Sequence, residues 1–233
     1  MSALQVMPRR MRDRLVPFRS RVTGAGASGQ TRWRGDGEKG AAVVEFALAL
    51  PLIAALTMGT LEFGMAWRAT NAVERVVANA GRTGSSLADY RYADYELLRA
   101  VHSGLNGLSD VQIVRVIVWR ATNSPTVPAQ CLNINATGNG RKGVNNLCNV
   151  YSPTQVATTS TGGFGSNSSG GCTSGSWDAS WCPRNRIQQR PNPDLIGVYV
   201  EARRTNMTGL FGPELTIRRS SVYMLEPPSI GDL

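Results

Sequence analysis

The sequence predicts an α+β protein. A long amino-terminal transmembrane helix continues into a stalk, and a second helix follows. A small antiparallel β-sheet domain comes last and carries a long disulfide-braced insertion. Three observations predict this arrangement. Ala41–Trp67 contains no Lys or Arg and only two acids, Glu45 and Glu62. Apolar residues then change period, from spacings of three and four up to Leu108 to near alternation from Val111 onward. All four cysteines fall in the Gly-, Ser-, Asn- and Thr-rich stretch between the first strand and the later ones. A length of 233 residues suits one domain of ordinary size with such additions.

Residues 1–40 read as a basic, disordered leader, Arg-rich and then rich in Gly, Ala and Ser from Gly24 to Gly29. Nine of its residues are Lys or Arg and three are acidic, so it holds six of the chain's nine formal positive charges. Such a terminus binds nucleic acid or marks a cytoplasmic flank. The topogenic reading is favoured because the basic run stops where an apolar segment begins. Few aromatics interleave the arginines, and no nucleic-acid fold signature follows, so nucleic acid is not an expected partner.

Residues 41–67 read as the membrane span. The stretch Phe46–Leu61 has no charge at all. As helix, Ala41–Trp67 would run roughly 40 Å, which exceeds the roughly 30 Å hydrocarbon core. A core helix of a soluble protein would show one apolar stripe, whereas this run is apolar all round. A secretory signal has an apolar region of only about 7–15 residues and a cleavage site behind it. Trp67 and Arg68 stand where interface anchors stand. One helix with its amino terminus in the cytoplasm is expected, and Glu62 reads as an interfacial carboxylate.

Residues 68–233 form the expected extracytoplasmic domain. The helix continues as a stalk to about Asn79 or Gly81, and "GRTGSS" (Gly81–Ser86) reads as a break with Gly81 as C-cap. A second helix is expected over Asp89–Leu108, with Leu97, Leu98, Val101, Leu105 and Leu108 on one face. Strands are expected at Val111–Ala121, Leu195–Met207 and Leu215–Pro227, the last two joined by the Gly/Pro-containing link Thr208–Glu214. Residues 122–194 read as a long exposed insertion.

Cys131, Cys148, Cys172 and Cys182 lie in that insertion, with no C-x-x-C pair among them. The only histidine, His102, lies on the second helix, so a zinc site is not expected. An extracytoplasmic location favours disulfides. Of three possible pairings, Cys131–Cys148 with Cys172–Cys182 is favoured because it pins two loops independently. No catalytic, cofactor-binding or metal-binding constellation is evident. "DASWC" (Asp178–Cys182) resembles the start of a D-x-S-x-S metal motif, but Cys182 replaces the second serine. Asn135, Asn167 and Asn206 begin N-glycosylation patterns that an Asn/Ser/Thr-rich region produces by chance.

"KGAAVVEFALALPLIAALTMGTLEFG" (Lys39–Gly64) resembles the amino-terminal segment of the TadE-like family of tight-adherence (Flp) pilus biogenesis proteins. These are minor pilins, or pseudopilins, of bacteria. Gly40 follows a basic residue, and Glu45 comes five positions later with Phe46 behind it. Pro51 sits early in the helix, and "LEFG" ends the apolar run. The resemblance implies a pilin-like fold and cleavage by a prepilin peptidase after Gly40, with Ala41 as the first mature residue. A leader of about forty residues is long for that type, and a start at Met7 or Met11 would shorten it. A carboxylate in hydrocarbon costs several kcal/mol unless paired. The new ammonium of Ala41 would lie one turn from Glu45, and the resemblance implies pairing with a neighbouring subunit as the other solution. Pro51 frees a backbone carbonyl, as a simple kink or as part of helix packing.

Two functions are expected from different classes. In the first, the chain is a structural component of adhesive-pilus assembly in the bacterial inner membrane, with its domain periplasmic or carried into the pilus. Its partners are membrane lipid, other pilin-like subunits, the assembly and secretion machinery, and the peptidase. In the second, it is a bitopic envelope protein whose braced loop binds an extracellular ligand. An enzyme is not expected.

Overall fold

The computed structural model describes residues 36–122, 124–165, 171–189, 191–209 and 211–227. Residues 1–35 of the expected leader and the pattern at Asn167 lie outside them.

Helix α1 spans Asp36–Leu87 and contains Pro51. It begins before the expected start at Ala41 and runs through the expected break at Gly81. A glycine ends a helix when it adopts a left-handed cap, and neither Gly81 nor Gly84 does; the positive φ comes at Ala88, 38°. Both glycines serve close approach instead. A Cβ on Gly81 would lie 2.4 Å from the Tyr223 ring, and one on Gly84 would lie 2.7 Å from Leu97 Cδ1 and 2.9 Å from Ile196 Cδ1. Ser85 Oγ donates to the Met224 carbonyl, which fastens the same turn to the sheet.

Helix α2 spans Ala93–Leu105, shorter at both ends than expected. The turns at Tyr90 and Ala93, whose amides bond Leu87 and Tyr90 carbonyls, occupy the residues before it. Its face of Leu97, Leu98, Val101 and Leu105 is buried as the spacing predicts.

Strand β1 (Val111–Arg120) is central. The next elements all come from the stretch expected to be loop: α3 (Ala129–Leu132), β2 (Gly143–Val144), β3 (Cys148–Tyr151) and α4 (Pro153–Val156). Strands β4 (Leu195–Thr205) and β5 (Glu214–Met224) form the expected hairpin. The five strands are antiparallel in the order β2-β3-β1-β4-β5. The α+β class holds, with a long apolar helix, a second helix and a small antiparallel sheet.

The insertion is not an exposed loop over its described length. One face of the sheet, with Val116, Val118, Val198 and Val200, packs against Val73, Val77 and Ala80 of α1 and against α2. The other face, with Ile117, Trp119, Val150 and Tyr199, packs against Cys131, Leu132, Ile134 and other insertion residues. This second layer explains why Val116–Trp119 is buried without alternation. A strand covered on both faces reads as a continuous apolar run. Two disulfides, Cys131–Cys148 and Cys172–Cys182, cross-link the insertion in the nearest-neighbour pattern.

Gly197 of β4 is where the second face is tightest. A Cβ there would lie 2.2 Å from the ring of Trp119, which is fully buried. Gly197→Ala is therefore expected to lower stability by about 1–3 kcal/mol, as overpacking of a closed core does. Thermal unfolding of the detergent-purified chain checks this. A melting temperature equal to the parent's would show that Trp119 has room to move.

Candidate functional site

The amino-terminal stretch of α1 carries the residues that the sequence singled out. Gly40 and Ala41 lie inside the helix, so the bond between them is held in helical backbone. A Cβ on Gly40 would meet nothing within 4 Å. Ala41 and Glu45 are four residues apart and share a face. Both are exposed, and so are Phe46 and Pro51. Pro51 has no N–H to give the Ala47 carbonyl one turn back. Among the described residues Glu45 has no hydrogen bond or ion pair.

Exposure of large apolar groups continues from Val43 through Phe46, Leu52, Ile53, Leu56 and Leu61 to Phe63 and Trp67. Water would oppose such a surface by about 25 cal/mol for every Å² left uncovered. The helix is long and apolar enough to cross a membrane, and none of its most apolar window is buried within the protein. Glu62 apart, α1 buries residues against its own domain only from Ala69 onward.

Glu62 is packed against its own domain. It is 2% exposed and accepts a hydrogen bond from Thr208 Oγ1, in the β4–β5 connection. Nothing local in the sequence pairs Glu62 with a residue 146 positions away. The turn signal of "TGLFGP" marked the hairpin, not its contact.

The remaining concentration of charge is buried under α2. Arg186 Nη2 donates to Asp94 Oδ1 at 2.5 Å, and both side chains are fully buried. Asp94 Oδ2 accepts from Tyr151 OH at 2.5 Å and from Asn149 Nδ2 at 2.9 Å. Asn149 also exchanges hydrogen bonds with the Trp181 backbone, donating to its carbonyl and accepting from its amide. The Arg186 guanidinium lies 4.3 Å from the Trp181 ring centroid. Asp178 Oδ2 accepts from the Gly165 amide at 3.1 Å, while its Oδ1 has no partner. Sequence reasoning passed over Asp94, which reads as an ordinary acid in a helix's first turn.

Burial, and after it the Asp94 charge, pushes the Asp178 carboxyl from its ordinary 3.8 up to about 6. Burial and then Asp94 likewise push the Tyr151 phenol well above its usual range. The cluster ties α2, β3 and the segment around Trp181 and Arg186 together. Among the described residues no group of three or more His, Cys, Asp or Glu side chains is placed to hold a metal ion.

The raised Asp178 pKa has a defined effect on stability. The folded protein binds its proton more tightly than the unfolded chain, so this contribution is fully present below about pH 4 and is lost as pH rises through about 6. The slope between those values should be worth on the order of 1–3 kcal/mol. Asp178→Asn keeps an acceptor for the Gly165 amide and removes the titration. Melts at pH 5 and pH 7 should show a drop for the parent that the variant largely lacks. Equal drops would assign the dependence to other groups.

No curated protein and no solved structure matches the chain. Residues 40–82 match the family model described as TadE-like protein. The match covers Gly40 to Arg82 of α1 and none of the sheet, and the resemblance carried by Gly40, Glu45, Phe46 and Pro51 falls inside it, so this stretch of the helix is similar to the TadE-like family.

Proposed function

We propose that the protein is a membrane-anchored, pilin-like structural component in the biogenesis of tight-adherence pili. The observation that carries this reading is the coincidence of the family match with the exposed apolar half of α1. A helix that buries nothing of its own domain along so much of its length is built to be covered from outside, by lipid and by other helices.

In this reading residues 41–67 span the bacterial inner membrane. The basic leader of residues 1–40 stays in the cytoplasm, and residues 68–233 lie on the far side, where the two disulfides persist. A prepilin peptidase cuts after Gly40. Glycine there has a physical use, because the scissile bond lies in helix and must unwind to enter an active site. Glycine weakens a helix by about 1 kcal/mol relative to alanine. The catalytic groups belong to the peptidase, with this chain as its substrate.

Cleavage leaves the Ala41 ammonium one turn from Glu45. The pair neutralises a carboxylate that hydrocarbon would otherwise penalise by several kcal/mol. The ammonium comes from the same chain or from a neighbouring pilin-like subunit, and Pro51 shapes the helix at that contact. The second reading, a braced loop that binds an extracellular ligand, loses support from the fold. The described insertion is spent on covering Trp119 and the sheet.

Amino-terminal sequencing of the membrane-bound form is expected to begin at Ala41; an intact leader would rule out processing. In a host that assembles the pilus, Glu45→Ala should abolish or strongly reduce surface pili while leaving the amount of protein in the membrane unchanged. Normal piliation by that variant, counted by electron microscopy, would remove Glu45 from the assembly contact.

A further inference from the structure

The β4–β5 connection extends the apolar surface of α1 sideways. Asn206–Pro213, "NMTGLFGP", contains no charged residue. At its base the exposed Arg203 and Glu214 pair at 3.2 Å. Beyond them Met207 is 77% exposed, beside Arg68 and Asp110, and Phe211 is 69% exposed. Phe211 approaches α1 at Gly59, where a Cβ would lie 4.0 Å from its ring. Phe211 and Leu215 face Phe63, Ala66 and Trp67 across a cleft of about 320 Å³, with Glu62 on its wall.

The height of this loop along the helix identifies its surroundings. A span that begins beyond Gly40 crosses a hydrocarbon core of roughly 30 Å in about 20 residues, and so reaches the far edge near Leu61. Gly59 lies just inside that edge and Trp67 in the interfacial layer, where tryptophan is enriched. The loop therefore touches the helix through Phe211 where the bilayer ends, while Met207 lies further along, beside Met65, Arg68 and Ala69. Thr208, between them in sequence, donates a hydrogen bond to Glu62 Oε2, and Glu62 Oε1 is buried without a partner among the described residues.

We propose that the β4–β5 loop is a membrane-interface wedge: Phe211 enters the outer edge of the bilayer beside α1, and Thr208 donates a hydrogen bond to Glu62 next to it. The wedge rests on the reading of α1 as a membrane span, and deepens it. It fixes the depth of the domain by a second contact point and leaves the sheet less free to swing about the helix. The occupant is lipid, because the exposed ring of Phe211 continues the exposed apolar surface of the helix at Phe63 and Trp67.

The test uses the full chain reconstituted in vesicles of phosphatidylethanolamine and phosphatidylglycerol. Benzoylphenylalanine is introduced at one position at a time: Phe211, Leu52 on the span, or Met224 at the other end of β5, which is also exposed. After irradiation, adducts are identified by mass spectrometry. Lipid adducts are expected at Phe211 and at Leu52, and a loss of them at Met224. Lipid adducts at Leu52 with none at Phe211 would overturn the wedge and leave the span standing. Adducts from Phe211 to a second copy of the chain in place of lipid would also overturn it, as a protein-docking loop. Absence of lipid adducts at Leu52 would overturn the span itself, and the wedge with it.

Discussion

The fully buried ion pair between Asp94 and Arg186 is the constraint around which the domain is assembled. Each charge was well solvated in the unfolded chain, and each is costly to bury alone. Asp94 is supplied by three donors from two segments: Tyr151 and Asn149 from β3, and Arg186 from the segment that returns from the insertion. Those donors meet only if β3 pairs with β1 in the observed register, with Val116 opposite Tyr151. They also require the insertion to double back before β4. A buried ion pair adds little net stability compared with apolar groups of the same size, but a broken one is severely penalised. Its value is selectivity, because misregistered packings of this glycine-rich segment leave a charge unpaired. Two Arg186 nitrogens, Nε and Nη1, lack hydrogen-bond partners, and the Trp181 ring face offsets part of that deficit.

The disulfides act on the same segment through the unfolded state. They close loops of 17 and 10 residues by sequence separation, each worth about 3 kcal/mol in the chain-entropy account. Cys131 and Cys148 are also fully buried beside Trp119 and Ile117, so the first bridge fills core as well as closing a loop. A polar stretch that buries few large apolar groups needs such help. With it, the insertion becomes the second layer over the sheet.

What the sequence made legible follows from how local each signal is. The apolar run of α1, the face of α2 and the change of period at Val111 are carried by neighbouring residues, and all three are present in the fold. Gly81 misled because glycine ends helices by cap geometry and also permits close packing. Only Tyr223 and Ser221, far along the chain, decide between the two. The short helix after β3 was legible and passed over: Ser152 and Gln155 form a capping box with Pro153 at the first helical position. Strand β3 was not legible, because four residues of strand inside a polar stretch give no period to count. Its burial depends on Asp94 and on the sheet. In the candidate site, the positions of Glu45 and Pro51 were readable as a pattern, whereas the Glu62–Thr208 contact depends on a hairpin closing against a distant helix.

The two carboxylates of the apolar segment therefore solve one problem in different ways. Glu62 accepts a hydrogen bond from its own chain at Oε2, at the point where the domain first reaches the helix, while its Oε1 is buried without a partner among the described residues. Glu45 lies 17 positions earlier, exposed, with no such cover among the described residues. A carboxylate in that position is tolerable at a headgroup, beside a new amino terminus, or against another subunit's. The three differ in what processing does to them. At a headgroup Glu45 is indifferent to the bond between Gly40 and Ala41. In the other two cases the ammonium it needs exists only after that bond is cut. If Glu45 meets such an ammonium, as proposed, the cleavage would give assembly an order: an unprocessed chain would carry an unpaired carboxylate into any helix contact, and a processed one would not.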